Sequence, residues 1–467
     1  MRRARPEQGD VIDGFRLDAC IHRGAMSALW RVSRTEGECD DPPLLMKIPT
    51  LAEGEDVSAI VGFETEQMIL PRLTGPHAPR FVAAGDFAQT PHLVMELVEG
   101  RSLHDIAKEG PLPADRVAAI GASVARALQD LHRQHVIHLD LKPANILIRP
   151  NGEAVFIDFG LSRHDELPDL LGEESDVPMG TAPYISPEQV IGVRWEPKSD
   201  HFALGVILYE LVTGKWPFGN PQRKSGMMRR IWRDPVPPRA INPDCPPWLQ
   251  EAILRCLCVD PARRYGSAAQ LAFALENPDQ ATLTERATRL KQDGFWTVLR
   301  RRLKAPTRPS PAQIRIAAEL DAAPIVMVAV DLANGVNELA ERVRVQAGRA
   351  VEAEPGARLA CVTVIKTALL SLEEDVDDQG RTAYLQRLIE LKDWARALNL
   401  PQDTISFHVL EALDPAAALI DYVRKNQVDH VVLGARGSSA LRRYLGSVSS
   451  QVVAEAPCTV TVVRLPG

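Results

Sequence analysis

Two short segments carry acidic, basic and amide side chains at close spacing. They read HLDLKPAN and DFG and begin at residues 138 and 158. Asp140 can orient a hydroxyl nucleophile and accept its proton, and Lys142 can neutralise a phosphoryl group during its transfer. Asn145 and Asp158 offer the hard oxygen atoms that Mg²⁺ prefers. These residue types predict a site where a hydroxyl group attacks a metal-bound phosphate.

These segments resemble the catalytic loop and the metal-binding triplet of protein kinases. The resemblance implies that Asp140, Lys142 and Asn145 are catalytic, and that Asn145 and Asp158 bind Mg²⁺ or Mn²⁺. Lys142, two residues after Asp140, is typical of the serine/threonine branch. Leu139 departs from the family pattern, because many of these enzymes carry Arg at that place.

The segment after DFG is rich in acidic residues, and this bears on regulation. These residues are Asp165, Glu166, Asp169, Glu173, Glu174 and Asp176. In kinases with Arg before the catalytic aspartate, a phosphate on the activation loop pairs with that Arg and orders the loop. Leu139 offers no such charge, and the acidic residues would repel an added phosphate. We therefore expect activity that does not depend strictly on phosphorylation of Thr181 or Ser175.

Residues 15–32 predict a strand, a turn and a strand. In the kinase family a Gly-x-Gly-x-x-Gly turn covers the ATP phosphates here, and glycine lets backbone amides approach them closely. Only the middle glycine, Gly24, is present, and His22 and Ser27 occupy the other two places. The resemblance implies that ATP is contacted by Ile21, His22, Arg23, Gly24, Ser27 and Leu29.

An apolar strand at residues 44–48 carries Lys47, which matches the family lysine that binds the α and β phosphates. The acidic partner of this lysine should lie on the next helix. Glu66 fits the family spacing Phe-x-x-Glu from Phe63, and Glu64 is an alternative on a different face of the helix.

A second hairpin resembles the strands that lead to the interlobe hinge of kinases. By this resemblance Met95 lies at the back of the adenine pocket, and the backbones of Glu96 and Val98 bind the adenine edge. Met95 also fits an ordinary core position. A long amphipathic helix is predicted over residues 113–135, directly before the catalytic loop.

The resemblance continues through the rest of a C-terminal lobe and covers residues 11–277. The sequence GTAPYISPE, which ends at Glu188, resembles the terminus of an activation segment. Asp200 matches the aspartate that braces the catalytic loop, and Arg264 matches the buried partner of Glu188.

The composition is that of a globular chain of two or three domains. The chain has 467 residues, a net charge of −7, 45% hydrophobic residues and 25% charged residues. This balance argues against a protein that coats nucleic acid. No apolar stretch reaches the roughly 18 residues of a membrane span, and the seven scattered cysteines suit reduced thiols. We therefore expect a cytoplasmic protein with no nucleic-acid partner and no membrane span.

Residues 278–321 are expected to connect two domains. Residues 281–303 are charged and compatible with a helix, and Phe295 and Trp296 lie on one apolar face of it. The basic run at 300–304 fits a helix C-terminus favoured by the helix dipole. It also fits a weak anchor at a membrane surface. The prolines that follow predict a stiff linker.

A second domain is predicted over residues 322–465, where apolar strands alternate with helical segments. This alternation is typical of a doubly wound parallel sheet, whose ligands bind at the carboxyl ends of the strands. A glycine motif begins at residue 434. It consists of GxxG, a spacer of eight residues, and then GS. It resembles the nucleotide-binding signature of universal stress proteins, whose usual spacer is nine residues. Glycines at turns also occur for structural reasons alone.

The resemblance implies ATP or AMP binding through backbone amides, serine hydroxyls and an acidic residue near the adenine and ribose. The residues that match are Asp331, Gly434, Gly437, Gly446, Ser447 and Ser449. It also allows a homodimer formed through this domain.

The sequence thus predicts an α+β bilobal protein-kinase fold followed by an α/β doubly wound parallel-sheet domain. This is the organisation of a Hanks-type bacterial serine/threonine kinase fused to a UspA-like domain. The expected substrates are ATP and protein serine or threonine hydroxyls, including those of the chain itself, and the second domain would sense nucleotide or stress. One alternative is a nucleotide-binding scaffold without turnover, favoured by the altered glycine loop and opposed by the intact catalytic residues. Another alternative is a small-molecule kinase. The resemblance of residues 180–188 to the activation segment of protein kinases argues against it.

Overall fold

The computed structural model describes most of the chain. The described residues are 6–24, 26–36, 42–50, 57–174, 177–306, 323–333, 335–367, 382–401, 403–435 and 446–465. Ser175, Asp176, Gly437 and the part of the predicted stiff linker after residue 306, which the sequence analysis singled out, lie outside these ranges. Within them, no helix is long and apolar enough to cross a membrane.

The N-terminal lobe is a six-stranded antiparallel sheet. Its strands are β1 (Val11–Ile12), β2 (Phe15–Arg23), β3 (Ser27–Arg34), β4 (Leu44–Pro49), β5 (Phe81–Gly85) and β6 (His92–Glu96). They are ordered β1-β2-β3-β4-β6-β5 across the sheet. Leu17, Trp30 and Met46 are buried in one cluster, since alternate residues of a strand point to the same face. Helix α1 (Val57–Ile69) follows β4 and contacts it.

The C-terminal lobe is mainly helical. Its helices are α2 (Leu103–Ala107), α3 (Ala114–Arg133), α4 (Leu170–Glu174), α5 (Pro187–Val190), α6 (Lys198–Thr213), α7 (Lys224–Met227), α8 (Pro238–Ile241), α9 (Pro247–Cys256) and α10 (Ala268–Glu276). Short strands form two small sheets: β7 (Arg101–Ser102), β8 (Val136–Ile137), β9 (Ile146–Ile148), β10 (Ala154–Phe156) and β11 (Arg163–His164). Helix α3 buries Val117, Val124, Leu128 and Leu131, which share one helical face. Helix α6 is almost wholly buried because it packs against both α3 and α9.

The first part of the predicted connector is bound to the C-terminal lobe. It contains α11 (Glu285–Thr288) and α12 (Phe295–Lys304). Gln250 donates hydrogen bonds to three backbone carbonyls of this segment, and Glu251 accepts hydrogen bonds from Thr284. The packing of the bilobal domain therefore continues beyond residue 277. The side chains of Phe295 and Trp296 are 71% and 78% exposed, so the apolar face expected there is not buried.

The second domain is a five-stranded parallel sheet with helices on both faces. Its strands are β12 (Ile325–Ala329), β13 (Arg358–Lys366), β14 (Ile405–Ala412), β15 (His430–Gly434) and β16 (Thr459–Val463). Its helices are α13 (Glu338–Ala353), α14 (Ala383–Arg396), α15 (Pro415–Lys425) and α16 (Ser447–Glu455). The strand order is β14-β13-β12-β15-β16. Val326 and Val328 face one core, and Ile325 and Met327 face the other, so the central strand is apolar throughout. The predicted doubly wound sheet is confirmed.

The two folded parts touch each other through α1 and α4 of the bilobal domain. Tyr384, Leu388 and Val409 of the parallel-sheet domain belong to the same apolar cluster as Ile60 and Phe63 of α1. Helix α4 contacts β14 and α15. The sequence analysis did not predict this contact.

Candidate active site

The loop between β8 and β9 is held by a buried carboxylate. Asp200, 1% exposed, accepts hydrogen bonds of 2.9 Å from the backbone amides of His138 and Leu139. The ring nitrogen Nε2 of His132 lies 2.9 Å from the same carboxylate. Leu139 has a φ of +60°, which a residue with a side chain adopts only where its surroundings compensate. Here Asp200 fixes the turn that carries the next residue, Asp140.

Both carboxylate oxygens of Asp140 have defined partners. Lys142 Nζ lies 2.7 Å from Oδ2, and Asn145 Nδ2 lies 3.3 Å from the same oxygen. Thr181 donates from its backbone amide at 2.8 Å and from its hydroxyl at 2.7 Å to Oδ1. The terminus of the activation segment therefore meets the catalytic loop at Asp140. The role of Thr181 was missed by the sequence analysis, although its motif was recognised.

Lys47 connects the N-terminal lobe with the DFG segment. Its ammonium lies 2.6 Å from Glu66 and 3.3 Å from Asp158. The backbone amide of Phe159 donates to the other oxygen of Glu66 at 3.4 Å. Glu64, the alternative partner, forms an ion pair with Lys392 of the parallel-sheet domain instead. Helix α1 thus directs Glu66 toward the cleft and Glu64 away from it.

The electrostatics of this cleft favour the charged forms of Lys47 and Asp158, whereas burial raises the pKa of Glu66 despite the nearby ammonium of Lys47. Burial opposes the charge of Lys47, but Asp158 and Glu66 outweigh it and raise the pKa of the lysine. Burial also opposes the charge of Asp158, but Lys47 and Lys142 outweigh it and lower the pKa of Asp158 to about 2. Asp158 is therefore ionised at neutral pH.

The donor set beside Asp158 fits a Mg²⁺ ion shared with phosphates. An ionised carboxylate and the amide of Asn145 offer oxygen ligands, and Mg²⁺ usually takes one or two carboxylates, several waters and phosphate oxygens. Among the described residues, no group of three or more His, Cys, Asp or Glu side chains could hold a metal by itself. This combination suits a metal that arrives with a nucleotide.

The turn between β2 and β3 lies at the edge of the N-terminal lobe. The backbone amide of Gly24 donates to the carbonyl of Ser27 at 2.9 Å, which closes the turn. A Cβ atom on Gly24 would lie 3.2 Å from His22 Nε2, so the side chains around the turn leave little space. Ile21 is half exposed, and Leu29 is paired with Lys47 across β3 and β4.

The predicted hinge follows β6. Met95 is 2% exposed and belongs to the main apolar cluster, as the core interpretation expects. The carboxylate of Glu96 accepts a hydrogen bond of 2.9 Å from Arg149 of the C-terminal lobe. Val98 is buried. The hinge is thus joined to both lobes.

A buried ion pair anchors the end of the activation segment. Arg264 Nη2 lies 2.8 Å from Glu188 Oε2, and both side chains are shielded from water. Ser186 and Gln189 cap helix α5 reciprocally, which fixes the backbone just before Glu188. The acidic residues upstream are also compensated, since Asp169 pairs with Arg194 at 2.8 Å and Glu173 pairs with a basic residue of the other domain. The charges of these two carboxylates are thus compensated, and the repulsion of an added phosphate by the acidic segment as a whole stays a prediction.

In the parallel-sheet domain the described signature residues lie at the carboxyl end of the sheet. Asp331 follows β12, and its Oδ1 accepts a hydrogen bond of 3.0 Å from Ala333. Gly434 ends the neighbouring strand β15, where a Cβ atom would lie 3.0 Å from Leu339. Close packing against Leu339 therefore explains a glycine at 434 without any bound nucleotide.

The remaining described signature residues form the start of α16. Gly446 is the residue before its first turn, and Ser447 opens the helix. The hydroxyl of Ser449, 2% exposed, donates to the carbonyl of Gly446 at 3.1 Å. The first backbone amides of a helix have no partner within the helix and can bind a phosphate.

Comparison with known families identifies both parts of the chain. The protein kinase domain family matches residues 49–274, and the universal stress protein family matches residues 325–464. The bilobal part of the chain is therefore a protein kinase domain, and the parallel-sheet part matches the universal stress protein family. Both resemblances predicted from the sequence are confirmed.

The relatives found for the kinase domain are bacterial. The chain is 34% identical over 265 residues to a probable serine/threonine-protein kinase of Clostridium perfringens, covering 56% of this chain and 38% of that protein. It is 33% identical over 237 residues to serine/threonine-protein kinase PknL of Mycobacterium bovis, covering 50% and 59%. It is 33% identical over 278 residues to PknA of Mycobacterium tuberculosis, covering 58% and 62%. The chain thus spans between two fifths and three fifths of the length of these relatives.

Proposed function

We propose that the chain transfers the γ-phosphoryl group of ATP to serine or threonine hydroxyls of proteins, its own included. The observation that carries this proposal is the ammonium of Lys47, which reaches Glu66 and Asp158, while Asp140 is fixed in the catalytic loop. Catalysis of phosphoryl transfer consists mainly of such positioning and charge compensation. The similarity to bacterial serine/threonine kinases over the same region supports it.

In the proposed reaction each side chain contributes position or charge. Lys47, braced by Glu66, holds the α and β phosphates. Asp140 accepts a hydrogen bond from the substrate hydroxyl and directs its oxygen toward the γ-phosphorus. Lys142, 2.7 Å from Asp140, compensates the charge on the transferred group. Asn145 and Asp158 would hold Mg²⁺ or Mn²⁺, which would supply positive charge that compensates the phosphates.

We place ATP between the two lobes. The adenine would lie against Met95 and the backbones of Glu96 and Val98. The phosphates would lie beneath the β2–β3 turn, which contributes Ile21, His22, Arg23, Gly24, Ser27 and Leu29. The single glycine of this turn lets fewer backbone amides approach phosphate closely than three glycines would. ATP affinity therefore depends more on Lys47.

The direct test is transfer of labelled γ-phosphate from Mg²⁺-ATP by the purified full chain, onto itself and onto a generic basic protein. Asp140→Asn removes the proposed base while keeping its shape, and Asp279→Asn makes the same change at an exposed residue. We expect labelling by the wild type and the Asp279 variant and none by the Asp140 variant. Equal labelling by all three would contradict the assigned role. Absence of labelling by the wild type, with ATP still bound, would favour a scaffold.

We further propose that the universal stress protein domain binds AMP or ATP. The start of α16 and Asp331 both lie where ligands of parallel sheets bind. Calorimetric titration with AMP tests this in the full-length Lys47→Met protein, which is weakened at the kinase site. In that background Asp331→Asn should reduce AMP affinity about tenfold, and Asp421→Asn on α15 should not. Unchanged affinity in the Asp331 variant would contradict the proposal.

The division of labour between the domains is also a proposal. We assign catalysis to residues 11–277, connection to residues 278–321 and regulation by nucleotide or stress to residues 322–465. Action in the cytoplasm is supported by the cysteines, because all six that the structure describes are unpaired. A homodimer through the second domain is testable by light scattering of the full chain, and a monomer at all concentrations would contradict it.

A further inference from the structure

Helix α4, inside the activation segment, lies between the kinase domain and the universal stress protein domain. On the kinase side Leu170 and Leu171 form an apolar cluster with Val61 of α1. On the other side the helix contacts β14 and α15. The activation segment, whose ordering can switch a kinase, is therefore in contact with the second domain at α4.

The contact centres on Glu173, which is 6% exposed. One carboxylate oxygen lies 2.7 Å from Arg358 Nη2. The other accepts a hydrogen bond of 2.8 Å from the hydroxyl of Tyr422 and lies 3.0 Å from His408 Nε2. The backbone carbonyl of Glu173 also accepts a bond of 3.5 Å from Asn426. All four partners belong to the universal stress protein domain, and three of them contact the carboxylate itself, so this domain compensates the charge of the buried group.

Helix α1 is held by the same domain through a second ion pair. Lys392 of α14 pairs with Glu64, and its ammonium lies 5.0 Å from the ring centre of Phe87 and 5.5 Å from that of Phe407. Glu64 and Glu66 lie on different faces of α1. The second domain therefore contacts the face of α1 that carries Glu64. The other face of α1 carries Glu66, which contacts Lys47.

We infer that the universal stress protein domain takes the place of an activation-loop phosphate: Glu173 is the anion, Arg358 and His408 are its cations, and their contact orders the activation segment. This inference rests on the proposed kinase function. A buried anion surrounded by cations can fix a loop as a phosphorylated residue does when it pairs with Arg. The catalytic loop lacks the Arg that pairs with such a phosphate, because Leu139 precedes Asp140.

The arrangement has a direct consequence for catalysis. Docking holds α1 with Glu66 beside Lys47, and it holds α4 upstream of Thr181, whose hydroxyl bonds Asp140. Glu64, Glu173 and Lys392 are thus positioning residues, since they act on the reacting groups through α1 and the activation segment. The universal stress protein domain therefore positions the catalytic residues of the kinase domain through contacts made outside the cleft.

Charge reversal in the full chain tests the inference. Lys392→Glu places two carboxylates against each other, and the double variant Glu64→Lys/Lys392→Glu restores opposite charges. We expect the single variant to lower kcat about tenfold or more and the double variant to recover part of it. Hydrogen exchange measured by mass spectrometry should rise in residues 57–69 and 170–174 of the single variant and fall again in the double variant. Arg342→Glu, at an exposed pair of α13, serves as the matched control and should change neither.

The outcomes separate this inference from the proposed function. A wild type without activity, whose exchange still responds to charge reversal, would contradict kinase activity and leave docking supported. An active wild type whose kcat is unchanged when exchange rises would overturn the inference. If Lys392→Glu does not fold, Glu173→Gln replaces it, because glutamine keeps the volume and removes the charge. Wild-type kcat and exchange in that variant would also overturn it.

Discussion

The side-chain amide of Gln189 donates a hydrogen bond of 2.7 Å to the backbone carbonyl of Leu139. The amide of Leu139 is bound by Asp200, so both ends of this residue are fixed, and its φ of +60° is maintained by neighbours on α5 and α6. Its side chain is 3% exposed. The catalytic loop is therefore shaped by contacts within the C-terminal lobe, and an arginine at this place is not needed to shape it.

The first prediction concerns Asp200. In Asp200→Asn, the side-chain NH₂ group would face one of the two backbone amides that now donate hydrogen bonds to the carboxylate. We expect the free energy of unfolding to fall by about 3 kcal/mol, because a buried charged acceptor loses partners. We also expect kcat to fall about a hundredfold, because Asp140 follows directly on the disturbed turn.

Urea unfolding and steady-state phosphoryl transfer measure the two effects of Asp200→Asn. Asp279→Asn is the control for the change of charge. Activity within threefold of the wild type would mean that the turn does not need Asp200.

Thr181 provides the second prediction, because its hydroxyl already bonds Asp140 and is committed to that contact. Thr181→Ala should lower kcat about 10- to 100-fold, because the variant loses a hydrogen bond to a charged group and the free energy of such a bond corresponds to that factor. Thr181→Ser should retain most activity, since serine keeps the hydroxyl. Wild-type protein treated with a phosphatase should remain active.

A different result would restore a role for phosphorylation. If phosphatase-treated protein gains activity only when Thr181 or Ser175 is phosphorylated, the contact between Thr181 and Asp140 is not the active arrangement. Phosphorylation state is measured by mass spectrometry of the same samples used for kinetics.

The sequence was informative where short motifs determine chemistry. Residues of HLDLKPAN and DFG are brought together with Lys47 because the fold that these motifs indicate always joins them. The parallel sheet was predictable because its central strand is apolar on both faces, which leaves few other folds.

The sequence was silent where contacts join distant parts of the chain. Nothing local indicates that Glu173 would bond His408, because an acidic residue in a loop is usually exposed. The same limit applies to Gln250, whose bonds to residues after 277 extend the C-terminal lobe. Such contacts depend on how the folded helices and strands pack against one another. The hydrophobic periodicity within one helix or strand does not reveal which other element it will contact.

The third prediction separates the two glutamates of α1. Glu66→Gln removes the charge 2.6 Å from Lys47 and should lower kcat/KM for ATP at least about tenfold, because the lysine loses its brace. Glu285→Gln, an exposed change on α11, should have no effect. Both variants are compared by initial rates at several ATP concentrations. Wild-type kcat/KM in Glu66→Gln would exclude the assigned brace.

The fourth prediction uses the charge of His408. Burial opposes its protonation, but hydrogen bonds and charge from Glu173 and Glu174 outweigh that cost and raise the pKa of His408 to about 9. Arg358 and Tyr422 contact the carboxylate of Glu173, and the Tyr422 ring lies 5.2 Å from the imidazole. Burial opposes the charge of Glu173 as well, but Arg358 and His408 lower its pKa to about 2.

The direction of the pH effect follows from these values. A raised histidine pKa stabilises the folded chain fully below the ordinary value of about 6.5, and this contribution disappears as the pH rises through about 9. It amounts to at most roughly 3 to 4 kcal/mol, since the pKa rises from 6.5 to about 9 and one pKa unit corresponds to about 1.4 kcal/mol. The carboxylate of Glu173 stays ionised throughout that range, so the loss comes from the imidazole. The difference in melting temperature between the wild type and His408→Gln should therefore shrink steadily from pH 6.5 to pH 9.5. A difference that stays constant over this range would mean that His408 is not charged in the folded chain, and the cation facing Glu173 would then be Arg358 alone.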